Sequence, residues 1–256
     1  MKILVPLKQT VDLVEELELN DDGTDVEREY LTFKLNEWDE QALEEALLIK
    51  DAVGAEVTVV ALDEPDADQS LYGARAKGAD RAVKLTGDFA AGVSSHARAA
   101  ILARFLESQG FDLVLIGVQT PEDLDGQTGV ILAGMLGLPH ASVAVAVEPE
   151  GDAFKVTQEM GAGVTHQLSI IGPAVVGVQA AREAPRYVPI SRIRAAMQEG
   201  GLEQQPAAEV EVLSGLTVRR MFAPQSSSHA EMLGGDAEAA AARIIEIIRE
   251  RGALKV

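Results

Sequence analysis

Asp112-Leu113-Val114-Leu115-Ile116-Gly117-Val118-Gln119-Thr120-Pro121-Glu122-Asp123-Leu124-Asp125-Gly126-Gln127-Thr128-Gly129-Val130 passes from an apolar strand, through a loop, into the start of an apolar helix. A strand apolar on both faces belongs inside a parallel sheet covered by helices on both sides. The loop that follows such a strand is where an α/β protein holds a ligand, beyond the carboxyl end of the strand. Gly117 permits close backbone approach. Gly126-Gln127-Thr128-Gly129 opens a helix over 126–136, whose first N–H groups lack intrahelical partners and suit an anion, with Gln127 and Thr128 as neutral donors. Yet the loop carries three carboxylates, Glu122, Asp123 and Asp125, in a chain of net charge −19. Such acids can accept hydrogen bonds from ribose hydroxyls, an adenine amino group or backbone amides. They fit a nucleotide whose phosphate meets the helix end, or they merely pre-shape the loop and its cap. There is no Walker A lysine and no Gly-x-Gly-x-x-Gly, so neither phosphoryl transfer nor a standard dinucleotide fold is indicated.

Working outward, the N-terminal part alternates strand and helix. Ile3–Leu7 is a first central strand expected to stop at Pro6, which has no N–H for a ladder. Residues 15–35 are acidic, with the turn signal Asn20-Asp21-Asp22-Gly23, and read as a hairpin-like surface excursion. A helix opens at Asn36-Glu37-Trp38-Asp39-Glu40, capped by Asn36 or Asp39, with Ala42, Leu43, Ala46, Leu47 and Ile49 at helical spacing. Glu56–Leu62 is a β-branched strand, Ala67–Gly78 a helix, Arg81–Leu85 a strand and Ser95–Gln109 a helix. The expectation is a three-layer α/β/α fold with a mostly parallel, doubly wound sheet and right-handed crossovers. After residue 140 the pattern changes. Ser142–Val147, Ala153–Gln158, His166–Ile171 and Ala174–Val178 read as antiparallel strands added to the sheet. A short helix over 190–198 precedes a Gly-, Gln-, Ser- and Pro-rich stretch over 200–235. This extended arm leads to a terminal helix over 236–251 capped by Asp236. The chain divides into an α/β domain, 1–198, and an arm with its helix, 199–256, expected to pack on another chain.

Of the 256 residues 47 % are apolar and 25 % charged, ordinary for a folded soluble protein. The negative charge argues against nucleic acid and against anionic membrane surfaces. With no cysteine, thiolate chemistry, disulfides and Cys-ligated metal are excluded, and the four histidines show no metal-ligand spacing. No apolar run approaches the roughly 20 residues of a membrane span, and no signal segment opens the chain, so a cytoplasmic protein is expected. No paired catalytic carboxylates and no Ser/His/Asp pattern stand out, so no catalytic residue is expected.

Two further places attract attention. Arg182, Arg186, Arg192 and Arg194 surround Pro185, Tyr187, Val188, Pro189 and Ile190, an apolar segment among cations that reads as a docking anchor or as a basic, solvated helix start. Glu159, after the strand ending at 158, reads as an ordinary solvated strand end.

Several stretches together resemble the β subunit of electron transfer flavoprotein. They are Leu4-Val5-Pro6-Leu7-Lys8-Gln9, Leu35 through Ala46, Gly117-Val118-Gln119 through Gln127-Thr128-Gly129, Ala184-Pro185-Arg186-Tyr187 with Ile190 and Ile193, and Gly78-Ala79-Asp80-Arg81. The resemblance implies an electron carrier and not an enzyme. It implies AMP bound structurally by this chain at Pro6, Asn36, Glu37, Trp38, Asp39, Asp63, Gly117, Val118, Gln119, Thr120, Asp123, Leu124, Asp125, Gly126, Gln127 and Thr128. It implies an FAD held mainly by a companion α subunit in a heterodimer. Electrons would come from acyl-CoA and related dehydrogenases and pass to a quinone oxidoreductase, as in fatty acid β-oxidation. The recognition loop 184–194 would dock the dehydrogenase through Arg186, Tyr187, Ile190 and Ile193, and Glu159 would lie near the flavin domain. This chain departs from the family at Asp63 and Asp125, where others carry small neutral residues, and at Gly126, where some carry Asn. Ile190 replaces a leucine, and the lysines that often follow the loop are missing. Two alternatives are a bifurcating type, with a second FAD in place of AMP, and an adenine-nucleotide-binding sensor protein on a similar sheet. The loop Asp125-Gly126-Gln127-Thr128-Gly129 fits the AMP type better.

Overall fold

A computed structural model of the chain describes residues 1–14, 16–29, 31–89, 92–123, 126–210, 218–223, 230 and 232–253. The chain opens with β1 (Lys2–Leu7) and an antiparallel pair, β2 (Gln9–Val11) and β3 (Phe33–Leu35), that closes the acidic excursion. A bridge between Leu19 and Val26, and Gly23 donating to the Asn20 carbonyl at 2.9 Å, make that excursion the hairpin its turn residues predict. Then follow α1 (Glu37–Val53), β4 (Glu56–Leu62), α2 (Ala67–Lys77), β5 (Arg81–Thr86), α3 (Ser95–Glu107), β6 (Leu113–Gly117) and α4 (Gln127–Leu136). The second half comprises β7 (His140–Glu150), β8 (Ala153–Glu159), β9 (Thr165–Ile171), β10 (Ala174–Val178), α5 (Ile190–Glu199), β11 (Glu203–Pro206) and α6 (Ala237–Glu250).

The large sheet has nine strands in the order β11-β5-β4-β1-β6-β10-β7-β8-β9. From β1 the chain winds outward through β4 to β5, then returns to lay β6 on the other side of β1. The order therefore reverses at β1, which makes this a doubly wound sheet with a switch point there. The strands alternate faces. Ile3, Val5, Val57, Val59, Leu113 and Leu115 pack with α1 and α2, while Leu4, Val60, Val114 and Ile116 pack with α3 and α4. The predicted α1 stripe of Ala42, Leu43, Ala46, Leu47 and Ile49 is buried. The three-layer α/β/α class follows from these two apolar faces.

Four details differ from the sequence reading. β1 does not stop at Pro6 but continues to Leu7, paired with β4 throughout. It pairs with β6 only through Ile3↔Leu113 and Leu4↔Val114. A proline has no N–H for a ladder, and the two strands part company just before it. β7–β8 and β8–β9 are antiparallel as expected, but β10 is not part of that run; it inserts between β6 and β7, parallel to both. An apolar strand buried on both sides suits a central place better than an edge. The arm reading missed β11, which joins the sheet edge parallel to β5 and is held by a bidentate Arg81–Glu203 pair at 2.8 and 2.9 Å. Its polar sequence, Glu-Gln-Gln-Pro, suits an edge strand and gives no apolar signal. Finally, Asn36 stands at the N-cap position of α1 without a side-chain capping bond, and Asp39 lies within the helix.

Candidate functional site

A crevice opens at the switch point, between the carboxyl ends of β1, β4 and β6, on the α3 side of the sheet. It is open to solvent and is lined by Pro6, Asp39, Arg98, Gly117, Gly126 and Thr128, among others. The opening exists because β1 and β6 separate beyond Leu4, and Asp39 spans the gap. Its carboxylate accepts from the Lys8 amide at the end of β1 and from the Gly117 amide at the end of β6, both at 2.9 Å. Burial pushes its pKa up to about 6, against the pull of those two amides. Asp39 thus replaces the lost ladder with two charge-assisted bonds.

Asn36 completes the frame from below. It is fully buried, its Nδ2 donates to the Gln119 carbonyl at 2.9 Å, and its Oδ1 has no partner among the described residues. Gly117 is obligatory: a Cβ there would come within 2.7 Å of the backbone at Trp38 and Asp39. Gly126 sits at φ 64, and a Cβ there would run into the Val118 carbonyl. That left-handed turn starts α4 at the edge of the crevice, where Gly126 and Thr128 line it.

The acidic loop is accounted for largely within the protein. Glu122 pairs with Lys8 Nζ at 3.1 Å, and Lys8 also reaches Thr120 Oγ1 at 3.3 Å. Asp123 accepts from the Ser95 hydroxyl and, at 3.4 Å, from the Gln127 amide; its own amide donates to Thr120 Oγ1 at 3.1 Å. Two of the three acids therefore brace the loop and its helix. Leu124 and Asp125, also expected at the site, lie outside the described residues.

The structure brings Pro6, Asp39, Gly117, Val118, Gln119, Thr120, Asp123, Gly126 and Thr128 around one space. Trp38 backs Gly117 with its backbone, and Gln127 stands in the first turn of α4. Glu37 faces outward toward Lys34 at 3.4 Å, and Asp63 pairs with Lys84 at 3.2 Å, away from the lining. Sequence reasoning missed Lys8 and Arg98, which line the crevice, and Glu64, which pairs with Arg98 in a buried ion pair. Lys8 lay within a quoted stretch, but nothing in the spacing marked it; Arg98 looks like any basic residue on a helix. Among the described residues no group of three or more His, Asp or Glu is arranged to hold a metal ion. No helix there is long and apolar enough to cross a membrane.

The loop before α5 is less free a cationic patch than its sequence implies. Arg182 is clamped to Glu45 at 2.8 Å, and Arg186 to Glu44 and Asp51, both at 2.9 Å. Glu44 and Glu45 are buried on α1. These pairs hold the loop against α1 and leave Arg192 and Arg194 exposed. Tyr187 is 85 % and Ile190 66 % exposed, while Ile193 is half-buried in a groove shared with Gly73 of α2. Glu159 is exposed at the end of β8, opposite Thr165.

The model of the electron transfer flavoprotein domain matches residues 24–212. The chain is 34 % identical, over 98 % of both chains, to an electron transfer flavoprotein subunit beta of Methylophilus methylotrophus. It is 34 % identical to that of Bradyrhizobium diazoefficiens over 88 % of this chain and 90 % of the other. It is 31 % identical to that of Homo sapiens over 78 % of this chain and 79 % of the other. A doubly wound sheet with a crevice at its switch point, matched in sequence over most of its length, places this chain in the electron transfer flavoprotein family, among its β subunits.

Proposed function

We propose that the chain is the AMP-binding half of a heterodimeric electron carrier. The observation that carries the reading is the crevice itself: two glycines whose Cβ positions are already taken, Thr128 in the first turn of α4, and a buried guanidinium, all lining one space. This donor set fits an adenylate. Backbone amides and Thr128 suit its phosphate, and the apolar walls Val60, Leu62 and Ile116 suit its base. The bound nucleotide would be structural, filling the gap between β1 and β6.

The redox chemistry would belong to an FAD held mainly by an α subunit, with this chain supplying a rigid platform. The exposed, apolar face of α6, with Ile244 and Ile245 at 46 and 44 % exposure, supports a companion chain. Tyr187 and Ile190 would dock acyl-CoA and related dehydrogenases, the loop being held rigid by Glu44 and Glu45, and a quinone oxidoreductase would take the electrons. Glu159 would face the flavin-bearing domain.

The test is to co-express the chain with its α partner, denature the purified complex and chromatograph the released nucleotides. One AMP and one FAD per heterodimer are expected. Two FAD and no AMP would establish the bifurcating type, and a colourless homodimer carrying ATP would establish the sensor.

A further inference from the structure

The crevice wall contains a buried ion pair. Arg98, in the first turn of α3, is 5 % exposed, and Glu64, just past β4, is 9 % exposed; they join through Nη2 and Oε1. Removing two charges from water costs several kcal/mol per ion, and only good geometry with further hydrogen bonds recovers it. Here the second carboxylate oxygen, Glu64 Oε2, is buried without a partner among the described residues. The guanidinium has five donors. One serves Glu64, and the side chain lines the same crevice as Gly126 and Thr128. Ser95, three residues earlier, bonds Asp123, which ties this turn of α3 to the loop leading into α4. The other charged groups on the wall are engaged: Lys8 by Glu122, Asp39 by two amides, Asp123 by Ser95. Among the described residues, Arg98 is the lining cation with the most donors to spare, four of five against one of three for Lys8.

We infer that Arg98 holds the phosphate of the bound mononucleotide, with Glu64 as the positioning residue that fixes the guanidinium, and that this pair makes the site select a nucleoside monophosphate over the bare nucleoside. The inference rests on the mononucleotide reading above. It also explains how an anion is accommodated in a chain of net charge −19: a cation is built into the wall, shielded from the surface field.

The experiment is calorimetric titration of the nucleotide-stripped heterodimer with AMP and, separately, with adenosine. The wild type should prefer AMP by roughly 10- to 100-fold, the range of charge-assisted hydrogen bonds. The charge-neutral variant E64Q/R98M should bring the two ligands within about threefold, with adenosine affinity retained. Glu64→Gln alone, which keeps an acceptor for Nη2 but removes the competing anion, should tighten AMP. Equal binding of both ligands by the wild type, a preference retained in the double variant, or weaker AMP binding in Glu64→Gln would each overturn the assignment. A wild type that binds neither ligand fails at the mononucleotide reading, before any variant is made.

Discussion

Asp39 is a helix residue recruited to mend a sheet. Its two amide bonds join the ends of β1 and β6 where the ladder has stopped. Its carboxyl titrates near 6 in the folded protein against an ordinary 3.8, so the folded state holds the proton more tightly. Protonation therefore contributes stability that is present in full below about 3.8, declines as pH rises, and is gone above about 6; its full size is about 3 kcal/mol. Asp39→Asn lacks this titration. Urea unfolding should show the wild type's advantage over the variant to be larger at pH 5 than at pH 8, by about 1 kcal/mol; a pH-independent difference would place the titration elsewhere. Gly126 makes a second prediction at this scale. Its φ of 64 and the Val118 carbonyl in its Cβ direction leave no room for a side chain. Gly126→Ala should cost about 1–3 kcal/mol in unfolding free energy and abolish nucleotide retention. A variant as stable as the wild type would mean that the turn relaxes.

Between elements, the decisive contacts are buried carboxylates of α1 that fix the loop before α5. Glu45 accepts from the Val147 amide at 2.7 Å, the Arg182 amide at 3.0 Å and Arg182 Nε at 2.8 Å. Glu45→Ala would strand two amides and a guanidinium and should destabilise by about 3–5 kcal/mol, measured by denaturant titration. Ile190 is the opposite case, an exposed apolar side chain at the start of α5. Ile190→Ala should change stability by less than about 0.5 kcal/mol while slowing electron uptake from a dehydrogenase. Unchanged uptake rates would remove the docking role. Both arguments depend on the same division of labour: Arg182 and Arg186 are structural, and the exposed side chains next to them are available.

At the scale of the molecule, the nine-stranded sheet and its two apolar faces form a body that α6 does not help to build, since α6 buries none of its residues. A chain ending at Gly235 should therefore keep the wild-type thermal midpoint of the isolated subunit and lose association with the α subunit in size-exclusion chromatography; a large drop in midpoint would show α6 to be part of the core. The same scale separates what could be read in advance from what could not. Continuous apolar strands such as Val59–Leu62 and Leu113–Ile116, the helical stripe from Ala42 to Ile49 and the glycines at 117 and 126 are local signals. They suffice for the α/β class, the alternation of elements and the position of the crevice-lining loop beyond β6. The place of β10 between β6 and β7, the polar edge strand β11, the Asp39 bridge, the Arg98–Glu64 pair and the capture of Arg182 and Arg186 by α1 were settled only in the folded molecule. Each depends on residues brought together from far apart in the chain, 78 positions in the case of Asp39 and Gly117 and 142 for Glu44 and Arg186. Periodicity records which face of its own element a residue occupies; which charge it meets there is decided by how the layers close on one another.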